Sequence, residues 1–101
     1  MGSDLRLDIG AVRIREDATV HVLCRQGAMI PRHVQLGAMA YPITNILRTW
    51  EGRHHNERLF YFLVSSGDVA LKLCFLSHDC AWMVEEMAGP AAMAIPNIPT
   101  P

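Results

Sequence analysis

From Val69 to Phe75 the large apolar residues fall at every second position: Val69, Leu71, Leu73 and Phe75 alternate with Ala70, Lys72 and Cys74. Side chains of a strand point to opposite faces in turn, so a period of two selects β-structure with one face buried. The same period recurs between turn-forming residues. Leu5, Leu7 and Ile9 alternate with Arg6 and Asp8; Val12 and Ile14 alternate with Arg13 and Arg15; Cys80, Trp82 and Val84 alternate near the end. Short strands at this spacing predict a mainly β chain: six to seven antiparallel strands in a meander, forming a curled sheet or a small SH3-like barrel.

The turn residues set expected boundaries. Glu16-Asp17 reads as a turn within a hairpin over residues 11–25, and Gln26-Gly27 closes it. Pro31 to Leu36 reads as a strand with Pro31 at its start or on an edge, since proline lacks the ladder donor. Ile43 to Trp50 matches helical spacing as well as strand, but its β-branched and aromatic content favours strand, with a bulge near Asn45 absorbing the phase change. Glu51 to Arg58 is polar throughout and reads as a loop, Leu59–Val64 as a buried strand, and Ser65–Asp68 and Ser77–Asp79 as turns. The expected core includes Leu5, Leu7, Val20, Val22, Ile43, Ile46, Phe60, Phe62, Leu71, Leu73, Phe75, Trp82 and Val84. A single domain over residues 1–88 precedes a tail over residues 89–101 that holds four of the six prolines and no charge. Such a tail is no regular strand; Met93, Ile95 and Ile98 are its expected interface anchors.

Composition excludes several classes. Half of the 101 residues are hydrophobic and 19% are charged, which is a packed chain's balance rather than a disordered one's. The apolar runs fall short of the ~20 residues a membrane helix needs, and no secretory signal opens the chain, so the expectation is a cytoplasmic protein with no membrane partner. Three cysteines, Cys24, Cys74 and Cys80, cannot all pair within one chain. Set among apolar residues, they read as reduced, buried thiols in a reducing compartment.

No constellation points to catalysis. The glycines are isolated turn residues rather than a phosphate-cradling loop, and His21 with Cys24 is poorly spaced for a thiol–imidazole pair on a strand. We therefore expect no enzyme and no cofactor. Cys74, His78 and Cys80 are the candidate metal ligands, offering thiolate and imidazole across a turn but without the paired short spacing of zinc sites. His54-His55 is a second place where imidazoles gather, in a polar segment. Residues 1–58 carry eight arginines against six acidic residues, whereas residues 59–101 carry one lysine against four. Arg25, Arg32, Arg48, Arg53 and Arg58 with Trp50 are therefore the candidate nucleic-acid contacts, because guanidinium grips phosphate and indole stacks on bases. A net charge of −1 argues against strong autonomous binding and leaves a weak or partner-assisted one.

The run Pro31–Trp50, with Gly37, Tyr41, Ile43, Ile46, Leu47 and Trp50, followed by Glu57-Arg58-Leu59-Phe60-Tyr61-Phe62-Leu63-Val64, resembles a family of small bacterial domains of unknown function over residues 30–86. The resemblance implies a β fold and carries no catalytic residues. The genes of some members lie near those of translesion polymerases, which implies a DNA-repair context. Six methionines and the apolar excess favour a second reading of function. The leading expectation is a non-catalytic interaction module that self-associates, as a dimer, through edge strands or the tail; a nucleic-acid accessory domain comes second and a small metal-binding protein third.

Overall fold

A computed structural model describes residues 12–89, in which seven antiparallel strands form a curled half-barrel with no helix among the described residues. The strands are β1 (Val12–Arg25), β2 (Ala28–Leu36), β3 (Met39–Pro42), β4 (Asn45–His54), β5 (Glu57–Ser66), β6 (Val69–Leu76) and β7 (Ala81–Ala88). Their order across the sheet is β3-β2-β1-β7-β6-β5-β4. β3 and β4, at the two edges, are separated in the chain only by Ile43 and Thr44. A flat sheet of this width puts its edge strands ~29 Å apart, whereas the three Cα steps from Pro42 to Asn45 reach ~11 Å at most. The sheet has to curl.

β1 is the strand that turns the corner. Its first half, Val12–Ala18, pairs with β7, and its second half, Thr19–Arg25, pairs with β2. The expected turn at Glu16-Asp17 is absent, because these residues stand in the ladder opposite Val84 and Met83. A bulge takes the turn's place: Arg13 pairs with Glu86 and Glu16 with Val84, and Arg15 between them has φ 47°. One continuous bent strand thus replaces the expected hairpin over 11–25. The expected strand at Leu5–Ile9 and the tail anchors Met93, Ile95 and Ile98 lie outside the described residues.

Three cross-strand rows build the core. Phe62–Leu73–Val84, Phe60–Phe75–Trp82 and Val64–Leu71–Met87 are opposite one another across β5, β6 and β7 and so share a face. Val34 and Leu36 of β2 close over them, and Val34, Val64, Leu71, Leu73 and Val84 are fully buried. Burying each such side chain contributes roughly 1.5–3 kcal/mol. Phe60, Phe75, Val20, Val22 and Ile43 are partly buried against this cluster, and Ile46 is exposed.

Pro31 lies inside β2 rather than at its start, on the stretch whose outer side β3 does not cover; it is buried and sits at a register shift, opposite Val22 while His33 faces His21, and an edge or a bulge is where a strand tolerates the missing N–H. Two further expectations are corrected. The bulge of β4 falls at Leu47 rather than near Asn45, since Ile46 pairs with Val64 and Arg48 with Leu63. The polar run Glu51–Arg58 is ladder, not loop, apart from its tip. His55 and Asn56, at φ 50° and 67°, make a two-residue left-handed turn, the form that matches strand twist in a hairpin. The end of this hairpin is held by polar contacts: Arg58 donates to both oxygens of Glu51, at 3.0 and 3.1 Å, and lies 5.2 Å from the Phe60 ring centre.

Candidate functional site

The curl brings two sheet edges face to face without joining them. β3 covers the outer edge of β2 only from His33 to Leu36, so Ala28–Arg32 has β1 on one side and, among the described residues, no strand on the other. β4 pairs with β5 alone, and among the described residues its second edge has no ladder partner. The corner between them is fastened. The Ile43 N–H donates to the Arg32 carbonyl at 2.9 Å and the Thr44 N–H to the Ser65 carbonyl at 2.8 Å. The Thr44 hydroxyl also donates to Ser65 O at 3.0 Å and accepts from the Gly67 N–H at 3.3 Å. From this corner a seam opens between β2 and β4.

The seam is apolar. A cleft of about 670 Å³ reaches into it, with Met29 and Ile30 on one wall, Ile46 and Thr49 on the other, and Phe60 and Phe62 among its lining residues. A smaller cleft of about 290 Å³ continues to the corner between Ile30–Arg32 and Ile43–Ile46. At the bulge Leu47 is 56% exposed, and neighbouring Ile46 is 39% exposed. The sequence placed Ile46 in the core, and Leu47 was visible in it only as part of an ambiguous apolar spacing. Nothing in the sequence indicated that they border an opening, because that follows from strand order.

The opposite face of the sheet carries a buried charged cluster. Trp50 and Tyr61 stack at 5.2 Å with an interplanar angle of 11°, and the Lys72 ammonium lies 5.9 and 5.5 Å from their ring centres. Lys72 is 4% exposed and pairs with Glu85 at 3.5 Å and Glu86 at 3.8 Å. Beside it Cys74 is buried. Burial first, then the nearby Glu85 carboxylate, pushes its thiol up to about 12, against a hydrogen bond from Tyr61 that lowers it. A thiol held protonated is a poor nucleophile and a poor metal ligand.

The candidate metal ligands do not converge. Cys74 is buried on β6, whereas His78 and Cys80 are exposed in the turn that follows, where His78 donates its N–H to Glu57 at 2.9 Å. Among the described residues no three His, Cys, Asp or Glu side chains gather to hold a metal ion. Cys24 and Cys80 are exposed rather than buried as expected, and all three thiols are free. His54 and His55 share the exposed β4–β5 turn with rings 4.1 Å apart. Directly across β1 and β2, His21 and His33 meet edge to face at 5.5 Å, a pair missed for want of the register.

The candidate nucleic-acid contacts are divided between faces. Arg48 and Trp50 are two residues apart on β4 and share one face; Arg53, paired with Arg58, belongs to the other. Arg58 is occupied by Glu51, and Trp50 is half-buried against Tyr61. Arg25 and Arg32 lie on the β1–β2 hairpin and are exposed, as are Arg48 and Arg53.

No family model, curated protein or solved structure matches this chain. No helix among the described residues is long and apolar enough to cross a membrane. The fold and the seam define the class in their own terms: an antiparallel half-barrel in which, among the described residues, two unpaired edges flank an apolar cleft.

Proposed function

We propose that the chain is a non-catalytic interaction module that takes up an extended polypeptide segment in the seam between β2 and β4. One observation carries the reading: two strand edges, bare among the described residues, flank an apolar cleft lined by Met29, Ile30, Ile46, Phe60 and Phe62. Bare edges offer backbone donors and acceptors to an incoming extended chain, and an apolar floor rewards its side chains. Self-association as a dimer follows from the same surface wherever the segment belongs to a second copy. Three free thiols support a reducing compartment and hence a cytoplasmic site.

The test is a titration of isotopically labelled protein with short synthetic peptides, one alternating valine and threonine and one proline-rich. Binding shifts the amides of Ala28–Arg32 and Asn45–Glu51, and Thr49→Arg, on an exposed wall residue, removes the effect. Shifts confined to the Trp50–Tyr61 face, or none with either peptide at millimolar concentration, would refute the reading.

A second reading rests on Arg25, Arg32, Arg48 and Arg53, which are exposed and have no ion-pair partner among the described residues. These can give weak phosphate contacts to single-stranded nucleic acid. Binding of that kind falls steeply between 50 and 200 mM salt; no binding at low salt disposes of it.

A further inference from the structure

We propose that the segment this seam is built to hold is the chain's own residues Ile95–Pro101, docked in cis as a polyproline II helix; this rests on the seam being a polypeptide-binding site. The sequence of that segment, Ile-Pro-Asn-Ile-Pro-Thr-Pro, repeats with a period of three. A polyproline II helix has three residues per turn, so residues three apart lie along one edge. Ile95, Ile98 and Pro101 then form one apolar edge, Pro96 and Pro99 a second, and Asn97 and Thr100 a polar third. A helix of this form has two edges to bury and one to leave in water. Its fixed proline torsions also reduce the entropy lost on docking.

The seam fits that shape in three respects. Polyproline II segments are held in grooves with aromatic lining, and this cleft has Phe60 and Phe62 in its lining beside Met29 and Ile46. Seven residues of such a helix span ~22 Å, and β4 from Asn45 to Glu51 covers about the same length, ~23 Å. A proline-rich helix has few N–H donors, but its carbonyls remain free to accept from the N–H groups of the strand edges.

The chain can reach. Gly89 lies against Val69, where an added Cβ would come within 3.1 Å of the valine Cγ2. Val69 pairs with Ser66, and the adjacent Ser65 pairs with Asn45 at the corner of the seam. From β7 to β4 is three strand spacings, ~14 Å, and the six Cα steps from Gly89 to Ile95 span up to ~20 Å. A linker this short gives an effective concentration on the order of 1 mM. Docking in cis therefore competes with any external segment: a tail that binds with a Kd of about a tenth of that value weakens an outside ligand roughly tenfold.

The experiment measures binding of a fluorescein-labelled peptide, Ala-Ile-Pro-Asn-Ile-Pro-Thr-Pro, to the full chain and to the full chain carrying Ile95→Asp and Ile98→Asp, with light scattering on both. The expected result is two monomers, with the double variant binding the peptide at least ~10-fold more tightly than the unmodified chain. Thr49→Arg added to the double variant removes that binding. Equal binding by both proteins overturns docking in cis and leaves the groove reading standing. A dimer that falls to monomer in the double variant places the segment in a second copy and likewise overturns it. No peptide binding by the double variant overturns the assignment of the tail, while the valine–threonine peptide still judges the groove on its own.

Discussion

Leu73 and Leu47 are the same residue in two neighbourhoods, and the fold assigns them opposite weights. Leu73 is fully buried in the central row of the core, between Phe62 on β5 and Val84 on β7. Leu47, at the β4 bulge, is 56% exposed. Leu73→Ala removes three carbon atoms from contact with neighbours whose backbones are fixed by ladders on both sides, so the gap cannot collapse. Burial at roughly 0.8 kcal/mol per methylene gives ~2 kcal/mol, and the residual cavity adds to it, for a total of about 4 kcal/mol within the 2.7–5.0 range of such substitutions. Leu47→Ala loses less than ~0.5 kcal/mol, as surface changes do. Urea unfolding of both variants beside the unmodified protein measures the difference from the midpoints at a shared slope. Against a total stability of ~5–15 kcal/mol, Leu73→Ala leaves the chain marginal at best. Losses within 1 kcal/mol of each other would refute the strand register, because only that register puts one leucine inside and the other out.

Other outcomes follow from the cluster on the opposite face and from the turns. Lys72→Met leaves the 2%-exposed Glu86 without its lysine and costs about 3–5 kcal/mol in urea unfolding; a loss under 1 kcal/mol contradicts the buried pairing. With a thiol reagent at pH 8, Cys24 and Cys80 react rapidly and Cys74 only on unfolding; three fast thiols would contradict it. Because the folded thiol of Cys74 holds its proton up to about 12 against 9.0 when unperturbed, its contribution to stability is complete below pH 9 and is lost as pH rises from there through 12. Cys74→Ala should flatten that decline. Asn56→Gly, at φ 67° in the β4–β5 turn, should stabilise by about 0.5–1 kcal/mol, seen as a higher melting temperature; a lower one would argue against the left-handed turn.

The period of two carried β6 and β7 directly from sequence to structure, and the continuous apolar run Leu59–Val64 carried β5, since each has one face against the core and its neighbours at fixed register. It failed where a strand has no single buried face. Glu51–Arg58 is polar because that hairpin runs past the core, so alternation had nothing to report. Glu16-Asp17 has turn chemistry yet lies in the ladder, because the bulge at Arg15 re-phases β1 where it passes from β7 to β2. Val34 and Leu36 were missed as core residues for a related reason: their burial comes from β2 closing over β5–β7, a contact far apart in sequence. The seam itself was illegible, since it arises from β3 and β4 standing at opposite ends of the sheet order while joined by two residues. What the sequence did offer was the apolar excess and a proline-rich tail, the features behind the expectation of a self-associating interaction module.

Amide hydrogen exchange along β4 tests the open seam most directly. In an antiparallel pair alternate N–H groups point toward the partner strand and away from it. An edge left bare on one side predicts that, from Arg48 to Arg53 beyond the bulge, every second amide exchanges at least ~100-fold faster than its β5-bonded neighbours, and that the slow set alone tracks global unfolding. Uniform protection along β4 would mean its outer edge is paired, and the reading of this protein as an open-seamed polypeptide-binding module would fall.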